Sequence, residues 1–398
     1  MINKNKMKKF CTIIALMFVI AISKAQWTPV NTGLTNMNVF SLKSNGAEIF
    51  AGTDGGGVFL SNNSAGNWSL SQNLLSATLV TTFAISGANI FAATTPEGVF
   101  LSTDNGSTWA TVNSGMTNLN VYALAISGNN IFAGTEGGGI FLSNNNGATW
   151  SAMNTGLTGT QVSSIAISGN NIFAATEAGL FLSVNNGNSW TSVNASLTNV
   201  SLIQINSTNL YIITNSGSNI YLSSDNGVTL TPVNTGLPNT PTIRSLVFSG
   251  NKIFAAASGD GVYMSTNNGS NWLAVNTGLS GQYAFSLTLN SSNIFAGTQA
   301  GGVFTRSLTE LTGIEELQNN NSITISPNPF TSLTTISFSQ EQTNTTIKIK
   351  DILGKEIKSI NFTGKQYTLE KGTMQAGIYF LQITDANKNV VNRKVVVQ

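Results

Sequence analysis

"FLSTDNGSTW" occupies Phe100–Trp109. The chain writes it again as "FLSNNNGATW" at Phe141–Trp150 and as "FLSVNNGNSW" at Phe181–Trp190. Working outward, "NVFSLKSNGAEIFAGTDGGGVFLS" (Asn38–Ser61) matches "NVYALAISGNNIFAGTEGGGIFLS" (Asn120–Ser143). Further copies carry Ile90-Phe91, Ile172-Phe173, Leu210-Tyr211, Ile253-Phe254 and Ile294-Phe295, which makes seven copies about 41 residues apart. A period of this size marks a propeller or a solenoid rather than a row of independent domains.

Each copy reads as strands. "VYALAI" and "NIFAGT" are short apolar or β-branched runs, "EGGG" supplies a turn, "GIFLS" is a third strand and "TWSAMN" a fourth. Helix-period patterning of useful length does not occur. Four strands in each of seven copies predict an all-β, seven-bladed β-propeller. A β-solenoid is the alternative, but four strands per repeat is more than a typical β-helix coil uses.

The ends predict how the ring closes. A fourth-strand Trp recurs at Trp27, Trp68, Trp109, Trp150, Trp190 and Trp272, with Leu230 standing in once. "WTPVNTG" precedes any complete copy, and the last copy stops at "GGVFTRS" with no fourth strand of its own. The N-terminal strand is therefore expected to complete the last blade, which removes two open sheet edges.

Composition narrows the chemistry. The chain opens with four lysines, an apolar run from Phe10 to Ile22, and Ser23-Lys24-Ala25. That is the layout of a secretory signal peptide, expected at 1–25 with cleavage after Ala25. The run is short for a membrane span, so an integral membrane protein is not expected. A buried N-terminal helix is the alternative reading. The sole cysteine, Cys11, lies in this segment, and histidine is absent. The rest of the chain thus has no disulfide, no thiol nucleophile and no Ser-His-Asp or Cys-His site. No metal and no cofactor are expected. The segment holds five of the 18 basic residues, leaving 13 against 16 acids. Residues 26–312 carry only Lys43, Arg244, Lys252 and Arg306 against nine acids, so nucleic acid is not an expected partner.

The repeated stretch resembles the Asp-box, or BNR repeat, of sialidases and related propellers. "STDNGSTW" (Ser102–Trp109) carries Asp104, Gly106 and Trp109, and "SSDNGVTL" (Ser223–Leu230) carries Asp225 and Gly227. Three copies put Asn where Asp is usual: Asn145 with Gly147 and Trp150, Asn185 with Gly187 and Trp190, and Asn267 with Gly269 and Trp272. "SNNSAGNW" (Ser61–Trp68) is the most degenerate. The side-chain oxygen can accept from its own turn, glycine can take a positive φ, and Trp buries a large area between blades. The resemblance implies that this hairpin is structural and lies away from any active site.

A tail follows. "SLTELTGIEELQNNNS" is a polar linker, expected at 307–322 after a propeller at 26–306. Residues 323–398 alternate apolar and polar positions (Ile347, Ile349; Tyr379, Leu381, Ile383) and predict a small Ig-like β-sandwich. "SPNPF" (Ser326–Phe330), "KDILGKEI" (Lys350–Ile357), "AGIYFLQI" (Ala376–Ile383) and "NRKVVVQ" occur in order. Together they resemble the type A C-terminal sorting domain of the type IX secretion system. That resemblance implies a Gram-negative cell, the secretion machinery as a partner of residues 323–398, and a protein released or attached at the surface. An ordinary accessory domain is the alternative.

A site is expected where copies differ. One set of positions follows the opening apolar residue of the first strand: Phe40, Thr81, Tyr122, Ser163, Ser201, Arg244 and Phe285. Three aromatics and an arginine suit a sugar or peptide, or would simply pack against their own loops. The second set lies in the turn between strands two and three: Asp54, Glu97, Glu136, Glu177 and Asp260, with Gln299 in the seventh copy. It suits a cation, a basic partner or a sugar hydroxyl, or serves as solubilising turn residues. Sialidases bind the substrate carboxylate with three arginines, and this propeller has two, so that activity is not expected. No catalytic residue is assigned. The reading is a monomeric surface or secreted propeller that binds an extracellular glycan or protein. A glycoside hydrolase using paired carboxylates and a structural or adhesive surface protein are the alternatives.

Overall fold

The computed structural model describes residues 26–71, 78–214, 217–279, 283–311, 323–352, 354–385 and 390–398. The expected signal peptide, and the expected linker from residue 312 on, lie outside these residues. The chain divides into two compact units, Met1–Glu310 and Leu311–Gln398.

Unit one is a β-propeller. Among the described residues it holds seven four-stranded antiparallel sheets. The third blade is representative, with strands Val121–Ser127, Asn130–Thr135, Gly139–Ser143 and Ser151–Ala152 in spatial order. First strands of consecutive blades pack together, and Tyr283–Leu289 of the seventh packs on Val39–Asn45 of the first, closing the ring. Both faces of each blade are covered by neighbours. For this reason second strands such as Asn130–Thr135 are buried at five successive positions rather than alternating. The approach of neighbouring blades is close. A Cβ on Gly134 would stand 2.6 Å from Val162 Cγ1 of the next blade. Ala51, Ala92, Ala133, Ala174, Ala255 and Ala296 are fully buried at a central second-strand position for the same reason.

The seventh sheet takes its outer strand from the N-terminus. Thr28 and Pro29 pair with Thr305 and Phe304. The Trp27 backbone N–H donates to Thr277 O (2.8 Å) and its indole to Val275 O (2.7 Å). The same two bonds recur at other seams, with Trp150 donating to Ser114 O and Val112 O, and Trp272 to Thr235 O and Val233 O. The last blade therefore has no third-to-fourth-strand hairpin. Arg306 stands where the other copies have the hairpin serine, buried, and donates to the Val275 carbonyl that Trp27 also uses (3.0 Å).

Elsewhere the repeated hairpin is a closed hydrogen-bond unit. Ser102 Oγ accepts from Gly106 N–H (2.8 Å) and donates to Asp104 (2.8 Å). Asp104 accepts from Thr108 N–H (2.8 Å) and from the Thr108 hydroxyl (2.6 Å). Asparagine substitutes without loss. Asn145 Oδ1 accepts from Ser143 and Thr149 N–H, while its Nδ2 donates to Thr149 Oγ1 (2.8 Å), reversing that one bond. A hydroxyl donates or accepts equally, so both residue types serve. Gly106 has φ +81° and sits under the preceding blade, where a Cβ would come within 2.6 Å of Phe50. Asn105 before it, and Asn146, Asn186, Asn226 and Asn268 at the same place, also take positive φ.

Unit two is one five-stranded sheet folded on itself. The long strand Leu333–Lys350 is irregular between Ser337 and Thr345. Its first part pairs with Ile323–Ser326, its second with Gly377–Thr384, and both with Glu356–Glu370; Val390–Val397 adds to Gly377–Thr384. Phe330, Ile336, Phe338, Ile347, Ile349, Phe362, Leu381, Ile383 and Val395 fill the space between its halves. The arrangement is sandwich-like.

Trp150→Phe is expected to keep most packing and lose the indole bond, costing about 1–2 kcal/mol, while Trp150→Ala costs about 3–5 kcal/mol. Urea titration of the three proteins checks the order. An acid limb is also expected. Hydrogen bonds from Thr108 and Ser102 hold Asp104, and those from Thr229 and Ser223 hold Asp225, at a pKa of about 2. The unfolded value is about 3.9. The folded state thus binds fewer protons, and the stabilisation, complete above about pH 5, is lost as pH falls through the unfolded value towards 2. D104N/D225N should flatten that limb in melting temperature against pH, because asparagine keeps the bonds without titrating.

Candidate functional site

The register within each blade fixes which ends lie together. Val121 pairs with Thr135 and Thr135 with Gly139, so the start of the first strand shares one end of the ring with the turn between strands two and three. The repeated hairpins lie at the other end.

At this first end every blade contains a β-bulge. The register shifts between Val39 and Ser41, Val80 and Thr82, Val121 and Ala123, Val162 and Ser164, Val200 and Leu202, Ile243 and Ser245, and Ala284 and Ser286. The residue inside each shift is Phe40, Thr81, Tyr122, Ser163, Ser201, Arg244 or Phe285. These are the seven variable positions marked from sequence. A bulge leaves its extra residue out of the ladder and re-aims its side chain.

The seven are not equivalent. Thr81 Oγ1 donates to Val121 O (2.6 Å) and Ser163 Oγ to Val200 O (3.1 Å), both in the next blade, and Ser201 Oγ donates to Ile213 O (3.3 Å). Tyr122 meets Glu136 and Thr95. Burial first, then the charge and hydrogen bond of Glu136, push its phenol above the ordinary tyrosine value, and Thr95 acts weakly the other way. Phe40 and Phe285, on blades one and seven, face each other with ring centroids 5.3 Å apart at 48°. Arg244 is exposed and makes no hydrogen bond or ion pair among the described residues.

The carboxylates fall at two turn positions rather than one. Asp54, Glu136 and Glu177 directly follow the second strand, whereas Glu97 and Asp260 directly precede the third. Glu177 accepts from the backbone N–H groups of Thr160 (3.0 Å) and Gln161 (2.9 Å), and Glu136 stands beside Tyr122, whose phenol its charge pushes upward. Among the described residues, the side chains of Asp54, Glu97 and Asp260 accept no hydrogen bond. No three of the described carboxylates converge to form a metal-ligating group.

Sequence reasoning missed the residues that hold this end in place. Asn113 Oδ1 accepts from Val99 N–H (2.7 Å) and its amide donates to Glu97 O (2.8 Å). Asn31, Asn154 and Asn276 do the same for their turns. The recurring "VNTG", "VNSG" and "MNTG" carried that signal. Tyr283, half exposed at the start of the seventh blade's first strand, was also missed.

Comparison with known proteins agrees with both units. Residues 324–398 match the secretion system C-terminal sorting domain, and residues 140–240 match the DUF6242 beta propeller domain. The chain therefore joins a β-propeller to a sorting domain of the type IX secretion system, and it is exported to the cell surface or the extracellular space. Solved structures show the same fold. YCF48 from Cyanidioschyzon merolae superposes with TM-score 0.57 at 17% identity, covering 72% of this chain and 99% of that one. PorZ, an essential bacterial surface component of the type IX system of Porphyromonas gingivalis, gives 0.57 at 17%, covering 92% and 60%. The GH74 enzyme of Niastella koreensis gives 0.52 at 17%, covering 68% and 43%. An endo-acting ulvan lyase of Formosa agariphila is 34% identical over 77 residues, which is 19% of this chain and 15% of the lyase. No helix among the described residues is long and apolar enough to cross a membrane.

Glu136→Gln removes the charge and the strong acceptor beside Tyr122. The Tyr122 pKa should fall towards, but not reach, the ordinary value of about 10, because burial remains. Ultraviolet difference titration of the variant against a Tyr122→Phe reference measures it.

Proposed function

We propose that the bulge end of the propeller is a non-catalytic binding face for an extracellular glycan or protein. The observation that carries this is the placement of all seven variable residues on bulges, with Phe40, Phe285 and Arg244 left without backbone or carboxylate partners. Bulges that only terminated pairing would be served by the Thr and Ser of blades two, four and five. Binding rather than acid–base chemistry is supported by the carboxylates. Glu177 is held by the Thr160 and Gln161 N–H groups, Glu136 faces Tyr122, and Asp54, Glu97 and Asp260 come from three different blades.

The test immobilises the chain and passes over it a panel of soluble polysaccharides and extracellular proteins. At least one component should be retained by the wild type and about tenfold less by F40A/F285A, at a temperature where circular dichroism shows both proteins folded. Equal retention by both proteins would place binding elsewhere. Chain-shortened polysaccharide products would replace binding with hydrolysis.

A further inference from the structure

Blades six, seven and one form a distinct arc of this end. Across blades two to five the bulge residues are Thr81, Ser163 and Ser201, each tied to a backbone carbonyl, and Tyr122, which faces Glu136. Across the remaining arc they are Arg244, Phe285 and Phe40, and none is tied by a hydrogen bond. Tyr283 extends the aromatic surface. It lies two residues before Phe285 on the same strand, is 50% exposed, and a Cβ on Gly259 of blade six would stand 3.4 Å from its ring. Blades six and seven are held together beneath it by Leu287 N–H donating to Ser245 Oγ (3.2 Å), next to Arg244. The arc thus presents three aromatic rings and one guanidinium that has no hydrogen-bond or ion-pair partner among the described residues, on neighbouring blades.

That combination has a chemical counterpart. Aromatic faces pack on the C–H faces of pyranose rings. A guanidinium takes a carboxylate through two parallel N–H···O bonds. The surrounding charge limits how acidic the ligand is. Asp260 on blade six and Asp54 on blade one flank the arc. A densely charged polyanion would be repelled by them, whereas a chain with one carboxylate every few sugars meets one arginine and offers hydroxyls to the aspartates. A peptide has less to use here. The end is built from turns and bulged strand starts, which offer no straight edge for an added strand. Resting on the binding reading above, we propose that the arc of blades six, seven and one binds a polysaccharide with widely spaced uronic acid residues, Arg244 holding the carboxylate and Phe40, Phe285 and Tyr283 the sugar faces.

Affinity electrophoresis of the full chain tests it, with glucuronoxylan, its carboxyl-reduced form and heparin in the gel. Glucuronoxylan should retard the wild type. Carboxyl reduction should weaken retardation about tenfold, and R244A should do the same and no longer distinguish the two xylans. R244K should recover part of the difference, and heparin should retard less than glucuronoxylan. Equal retardation of the wild type by both xylans, lost in F40A/F285A, would overturn the acidic-sugar inference and leave the binding face standing. Stronger retardation by heparin would overturn the sparse-charge argument. No retardation by any polymer would overturn the inference, and the separate capture experiment then decides whether the face binds at all.

Discussion

The bond from a tryptophan indole to a carbonyl just beyond the preceding blade's outer strand holds this ring together. It recurs at Trp27, Trp68, Trp150, Trp190 and Trp272, at 2.7–2.8 Å. Trp109 makes it to a side chain instead, the Ser71 hydroxyl at 2.8 Å. A buried indole N–H without an acceptor is costly, so each bond fixes the seam angle as well as adding packing. Leu230 has no side-chain N–H to give. The seam between blades four and five is held there by apolar contact in a cluster that includes Leu180, Val193 and Leu230. The opposite case is the closing seam, where Val275 O receives both Trp27 and Arg306. The N-terminal strand that shuts the ring is two residues long, and these bonds add to the two residue pairs it makes.

Scaffold and candidate site are thereby separated by the length of a strand. The hairpins that make the repeat visible satisfy their own polar atoms and pack under the preceding blade. They have little left to offer a ligand. The bulges sit at the other end, where the extra residue breaks the ladder without touching the indole bonds. Side chains there vary from Thr to Phe to Arg while Val39, Val80, Val121 and Val162, immediately before the bulge, stay buried. A fold that fixes its seams at one end and its turns with Asn113 and its counterparts at the other leaves a narrow band of positions free to differ.

Much of this was legible in the chain. The 41-residue period, the fourth-strand Trp and the orphan "WTPVNTG" together led to a closed propeller, and ordered motifs in the tail led to a sorting domain. The variable positions were legible as variable because the copies could be aligned. That they were bulges was not. A bulge here needs no glycine and changes only pairing register, which single-strand patterning does not record. The two carboxylate positions were hidden because the acid sits at opposite ends of otherwise similar turns. Glu136 opens the three-residue turn 136–138, whereas Glu97 closes the equally long turn 95–97, so aligning acid with acid across the copies merges two positions. Arg306 was legible only as one of the propeller's two arginines. Its burial follows from the absence of a hairpin in that blade, a consequence of closure that local sequence does not show.

Closure also sets what kind of protein this must be energetically. Thr28 and Thr305 are 277 residues apart, and outside the N-terminal segment the chain has no cysteine with which to tie them. Bringing such distant segments together costs chain entropy that grows slowly with length and slows folding when contacts are non-local. The offset has to come from burial and hydrogen bonds at the joint. Trp27 is 1% exposed, Arg306 is 2% exposed, Asn31 links the N-terminal segment to Gly301 and Val303, and Asn38 accepts from Ala300 N–H. The aromatic pair Phe40–Phe285 spans this same joint. Its packing therefore contributes to closure as well as to the face, and a ligand seated on both rings would bridge the first and last blades. Any molecule that binds there stabilises the closed ring by mass action, so occupancy and ring integrity are coupled at the seam between the first and last blades.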